Sequence, residues 1–135
     1  MRFTKITIIS TRTQPDRRNI NELLQWIGGS LGLFSTRDKD KSCYRIFLIL
    51  LKDLQRQAPG MTSDEIAAAT HLTRGTVIHH LNRLMEAGIV LAERGRYALR
   101  VDTLEELVNE VQAGVNKTFD SIRQVAKYID EQLEL

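Results

Sequence analysis

Apolar residues recur along the chain at spacings that switch between helical and extended periods, and the switches divide it into elements. Residues 3–9, Phe-Thr-Lys-Ile-Thr-Ile-Ile, predict a short strand, which needs a partner either in the hairpin described below or across a subunit interface. After a break at Gln14-Pro15-Asp16, Ile20, Leu23, Leu24 and Ile27 trace an amphipathic helix that Asp16 or Asn19 can cap. Gly28-Gly29 is expected to loosen it, Leu31 to Phe34 form an apolar connector, and Trp26 serves as a packing anchor. A stronger helix covers 39–57, with Cys43, Ile46, Phe47, Leu50 and Leu54 on one face, and ends before the Pro59-Gly60 turn.

Residues 62–88 hold two helix starts a short turn apart. Thr62 with Glu65 three residues on is a capping-box pattern, opening an Ala-rich helix over 63–70 that another helix can approach closely. His71-Leu72-Thr73 makes the turn, with His71 tolerant of a positive φ and Thr73 a second N-cap. Val77, Leu81 and Leu84 form the buried stripe of the next helix, and Gly88 supplies the left-handed residue that ends it. The pair is a helix-turn-helix. Opposite the stripe lie Gly75, Thr76, His79, Asn82, Arg83 and Glu86, with His80 and Ala87 on the flank and Arg74 near the helix start. Donors on an outer face beside a small residue suit entry into a DNA major groove, although a merely solvated face has the same pattern.

The segment that follows decides between these. Residues 89–93 and 97–101 read as two short strands joined by Arg94-Gly95-Arg96, a hairpin with a basic tip. A helix-turn-helix followed by such a hairpin is a winged helix. The spaced pattern Thr62-x-x-Glu65-Ile66-Ala67, Leu72-Thr73, Thr76-Val77, His80-Leu81, Leu84, Ala87-Gly88-Ile89-Val90 resembles the ArsR-type winged-helix transcriptional regulators. The resemblance implies that Arg74, Thr76 and His79 read or grip DNA and that the wing touches its backbone; Gly75 and Arg83 on the same outward face and Arg94, Gly95 and Arg96 at the wing tip complete the candidate DNA-binding set. At Ile78 the chain departs from the small polar residue more usual in such helices.

Thr103 with Glu106 repeats the capping box and opens a last helix reaching about Leu133, roughly 45 Å at 1.5 Å per residue. Val101, Val108, Val115, Ile122 and Ile129 recur every seven residues, with Leu104, Val111, Thr118, Val125 and Gln132 between them. This is a two-stranded seam with β-branched residues at one position, flanked by Phe119 and Leu133. It predicts pairing with a second copy; the other reading folds the helix back on its own core. Gly114-Val115-Asn116 is a candidate kink.

Composition narrows the function. A chain of 135 residues, 42% hydrophobic and 27% charged, is of a size and balance for one soluble globular unit that gains from dimerising. The net charge of +2 conceals an asymmetry: residues 1–60 sum to +6, 61–100 to +1 and 101–135 to −5. A basic front and an acidic back suit a protein facing a polyanion with one side. The single cysteine precludes an internal disulfide and, with no apolar run of membrane length or signal-like start, predicts a cytoplasmic protein. Cys43 is expected to be a small buried hydrophobe. No phosphate loop, nucleophile elbow or metalloprotease motif is present, so no enzyme is predicted. Asp38/Asp40 and Asp64/Glu65 sit where carboxylates serve helix dipoles, and His79-His80 point about 100° apart, so no metal or other cofactor is assigned.

The expected architecture is therefore mainly α with a small β hairpin: a strand and helix extension over 1–35, a winged helix-turn-helix over 36–101 and a dimerisation helix over 102–135. The leading expectation is a homodimeric, sequence-specific regulator of double-stranded DNA, with recognition helix 74–87 in the major groove and wing 94–96 on the backbone. No membrane role is expected, and any small-molecule effector is left open. The competing expectation is a winged-helix interaction or assembly module that touches no DNA.

Overall fold

The computed structural model describes residues 13–33 and 41–135; the strand predicted over 3–9 and the carboxylates Asp38 and Asp40 lie outside them. Among the described residues, five helices and one hairpin follow in order: α1 (Ile20–Ser30), α2 (Ser42–Asp53), α3 (Ser63–Thr70), α4 (Arg74–Glu86), β1 (Val90–Glu93), β2 (Arg96–Leu99) and α5 (Leu104–Leu133). Mostly helical, with one antiparallel hairpin and a long last helix, this is the winged helix-turn-helix that the apolar spacing predicts.

The caps fix the boundaries. Asn19, rather than Asp16, caps α1 by accepting the Glu22 N–H. The Gly28-Gly29 pair does not loosen that helix: both lie within it, and their carbonyls accept the Leu33 and Gly32 N–H groups at 2.9 and 3.1 Å. Gly32, with φ 69°, is the residue that turns the chain out of the helix. The second helix stops at Asp53, short of the expected Gln57, because the Asp53 side chain bonds forward. Its carboxylate is buried and accepts the Gly60 N–H at 2.7 Å and an Arg56 N–H at 2.9 Å, while residues 54–56 close tighter turns.

Ile46, Phe47 and Leu50 of α2, Ile66 of α3, and Val77, Leu81 and Leu84 of α4 make the centre of the core, each at most 2% exposed. Cys43 joins them, as expected of a small apolar residue. The core continues into Val101, Leu107 and Val111, so the start of α5 packs within the winged domain. Burying so many aliphatic side chains at about 1.5–3 kcal/mol each is what drives these helices together. The hairpin pairs Val90 with Leu99 and Glu93 with Arg96. Its free side bonds Met61, through Met61 N–H to the Tyr97 carbonyl at 2.9 Å and Tyr97 N–H to the Met61 carbonyl at 2.7 Å.

From Lys117 onward every residue of α5 is exposed. Phe119 and Ile122 are each 56% exposed and Leu133 64%, so the apolar face continues past the end of the domain that buries its first turns. The helix is unbroken through Gly114-Val115-Asn116.

Candidate nucleic-acid interface

The turn between α3 and α4 is built from local chemistry. Thr62 accepts the Glu65 N–H at 3.1 Å while Glu65 accepts the Thr62 N–H at 3.3 Å, closing the capping box. His71 ends α3 in the left-handed conformation, with φ 57°, as its position in the turn predicts. The Thr73 hydroxyl oxygen accepts the Thr76 N–H at 3.2 Å and donates to the Thr76 hydroxyl at 2.9 Å. Thr76 is thereby oriented with its own hydroxyl hydrogen left to donate outward. Gly88, with φ 81°, ends α4 in a paired-bond cap: its N–H meets the Met85 carbonyl and the Ile89 N–H meets that of Leu84, both at 2.9 Å.

With Val77, Leu81 and Leu84 buried, the opposite face of α4 is turned outward. Arg74, Gly75, His79, Asn82, Arg83 and Glu86 are exposed and Thr76 is half-buried. His80, placed on the flank by periodicity, is buried, and its ring meets that of His79 edge-on at 5.2 Å between centroids. Gly75 is informative because the fold does not require it. A Cβ there would meet nothing within 4 Å, and its φ is not positive. Glycine in a helix interior costs roughly 0.8–1 kcal/mol relative to alanine, and less at the second residue of α4, so nothing within the chain favours glycine at this position.

Arg94 and Gly95 are the two residues of the hairpin turn, with φ 53° and 76°. Two left-handed residues match the twist of the strands, and glycine takes that geometry freely. Arg94 takes it at a cost of about 1–2 kcal/mol, a sacrifice that leaves a long exposed cation at the wing tip. Arg96 is different. Spacing puts it in the tip, but the structure makes it the first residue of β2, paired with Glu93. Its Nη1 donates to the Gly60 carbonyl at 3.1 Å and to Glu65 Oε1 at 3.2 Å, so it leans back against the start of α3.

Arg74 makes the matching contact from the other side, its Nε 3.7 Å from Asp64 Oδ1. The first turn of α3 thus sits between an arginine of α4 and an arginine of β2. From the sequence, Asp64 serves the helix dipole and Glu65 the dipole and the capping box; neither role brings in an arginine. The contact from Glu65 to Arg96 spans 31 positions, and no local pattern announces it.

Among the described residues, no group of three or more histidine, cysteine or acidic side chains is placed to hold a metal ion. Nor is any described helix long and apolar enough to cross a membrane. Among the described residues, the exposed large apolar ones lie on α5, with Ile20, Leu91 and Leu135; Ile78 is only half-exposed and no such patch covers α4. No curated protein and no solved structure gives a significant match to the chain. Residues 48–91, from within α2 to the start of the wing, match the family model of the bacterial regulatory proteins of the arsR family.

Proposed function

We propose that this protein is a homodimeric, sequence-specific DNA-binding transcriptional regulator without catalytic activity, working in the cytoplasm. The family match supports DNA binding and regulation. The observation that carries the finer reading is the outer face of α4, where Arg74, Thr76, His79 and Arg83 surround a glycine whose missing side chain faces open space. Laid in a major groove, that face presents hydroxyl, imidazole and guanidinium donors to base edges, and Gly75 lets the backbone come close. Arg94, raised on the Gly95 turn, reaches a phosphate, and Arg96 holds the wing in place or turns outward to a second one. Neighbouring phosphates fix the register and bases decide the sequence.

Dimerisation comes from the exposed half of α5. Val115, Phe119, Ile122, Ile129 and Leu133 recur at steps of three, four and seven residues along one face, and a second copy of this helix offers the same stripe in return. Two half-sites bound by linked subunits then gain affinity from effective concentration. Selection of duplexes from a random pool tests the reading. Enrichment of a two-fold-related motif is expected, lost on changing Thr76 or His79 to Ala at particular base pairs only. Recovery of no sequence over the input pool leaves the winged helix as an interaction module.

A further inference from the structure

The arginines at the two ends of the proposed DNA-binding surface are each held by a carboxylate from one short stretch of α3. Asp64 meets Arg74 of the recognition helix, and Glu65 meets Arg96 of the wing. We propose that Asp64 and Glu65 are an electrostatic brake on DNA binding, occupying Arg74 and Arg96 until phosphates displace them; this rests on the DNA-binding reading above.

Neither charge is needed where it stands for the fold. The capping box works with glutamine as well as glutamate, since it uses only an acceptor at the third position. Asp64 makes no capping hydrogen bond; Thr62 is bonded to Glu65. The ion pairs add little stability. Arg74 and Asp64 are 71% and 79% exposed and Arg96 and Glu65 53% and 45%, and pairs so open to water contribute in the range of about 0–1 kcal/mol. A contact that weak does not clamp a domain, but it is readily exchanged for a phosphate.

Its effect on a polyanion is larger than its effect on the fold. Each carboxylate neutralises a cation that would otherwise meet the backbone, and each repels the incoming phosphates. Glu65 stays ionised well into acid, because hydrogen bonds from the Thr62 backbone and then its side chain, aided by the nearby Arg96 and Arg56 charges, hold its carboxyl below the usual range. The brake is therefore set at any physiological pH. It lowers affinity for every duplex, and binding becomes appreciable only where base contacts from α4 add to the phosphate contacts.

The test compares the full chain with the D64N/E65Q variant, which removes both charges and keeps the capping acceptor. A D64N single variant leaves the capping box untouched, and circular dichroism establishes that both fold. Binding to random duplex is measured from low to moderate salt. The double variant is expected to bind on the order of tenfold more tightly and to show a steeper slope of log K against log salt, by up to about 0.9 for each arginine released to a phosphate. D102N/E105Q, which removes two charges at the start of α5, is expected to leave the slope unchanged. If the wild type binds duplex while D64N/E65Q matches it in affinity and slope, the brake is wrong and the DNA-binding reading stands. An equal gain in D102N/E105Q overturns it too, as a general charge effect. If neither wild type nor variant binds duplex, both readings fall.

Discussion

The helix-turn-helix and α5 are both amphipathic, both start from a threonine cap, and both are legible in the order of their residues. They differ in what happens to the apolar face. In α4, Val77 and Leu81 are fully buried against α2 and α3 of the same chain. In α5 the same kind of stripe is buried at Leu107 and Val111, then runs on through Phe119, Ile122, Ile129 and Leu133 with more than two fifths of each residue exposed. Periodicity states that a face must be covered; it does not state by whom. A stripe that outruns its own domain points to a second molecule.

That difference is sharpest under truncation. Removing residues after Asn116 keeps Leu107 and Val111 in the core but deletes the exposed stripe, whereas cutting at Asp102 would also strip the core. The shortened chain is expected to sediment as a folded monomer and to lose about 10²–10⁴-fold in affinity for a two-half-site duplex, the range set by effective concentration. A truncated chain that still binds as tightly, or a full-length chain that is monomeric at micromolar concentration, would place the seam's partner elsewhere.

Single substitutions separate the two stripes by how their effects depend on protein concentration. Leu81→Ala empties a fully buried site and should cost about 2–5 kcal/mol of folding stability, whatever the protein concentration. Ile122→Lys touches a residue 56% exposed in the single chain. It should leave the isolated winged domain's unfolding unchanged while abolishing any dependence of the melting temperature on concentration. Denaturant titrations at two concentrations differing a hundredfold distinguish these outcomes.

Local rules are legible in the sequence where a side chain answers to its near neighbours. The three threonine caps at 62, 73 and 103, the left-handed His71 and the Gly88 terminator all follow from residue type and a spacing of three or four. What escaped the sequence depended on distant partners. Asp53 ends α2 early because Gly60, seven residues on, folds back to it. Arg96 leaves the wing tip because Gly60 and Glu65 lie across from it, 36 and 31 positions away. Gly28-Gly29 is expected to loosen α1, yet it is Gly32 that ends it, since its positive φ lets two loop N–H groups reach the glycine carbonyls. At the candidate interface the outward residues of α4 were visible from angle alone, but the acidic counterweight to Arg74 and Arg96 was not.

Gly75 tests that interface against the core logic of the rest of α4. Gly75→Ala fills open space and improves helix propensity, so folding stability should rise, by less than the roughly 0.8–1 kcal/mol of a helix interior because Gly75 lies in the first turn. DNA affinity should fall, because the added methyl stands between helix and groove. Opposite signs for the two measurements are the expected signature of a residue kept for a partner. If affinity is unchanged in a more stable protein, the glycine does not face DNA.

The smallest effect concerns the charge on Glu65, and it can be isolated by comparing the wild type with Glu65→Gln across pH. Both keep an acceptor for the Thr62 N–H, so the capping geometry is shared and only the charge-assisted part of that hydrogen bond differs. What remains is the ionised carboxylate, favoured in the folded chain by hydrogen bonds to Thr62 and then by the Arg96 and Arg56 charges, which hold it below the usual carboxylate range. A group whose folded value is depressed stabilises above its unfolded value and loses that contribution as pH falls through the folded one. The wild type should therefore exceed the variant in stability at neutral pH, by a small margin given that the side chain is open to solvent. The margin should shrink as the pH drops below the ordinary glutamate range and vanish in stronger acid, because both side chains are then neutral. Urea denaturation midpoints of the two proteins, taken at steps from pH 7 into acid, measure it directly. A difference that stays constant or widens on acidification would mean that Glu65 acts on the fold through the shape of its side chain, and that its charge is present for DNA alone.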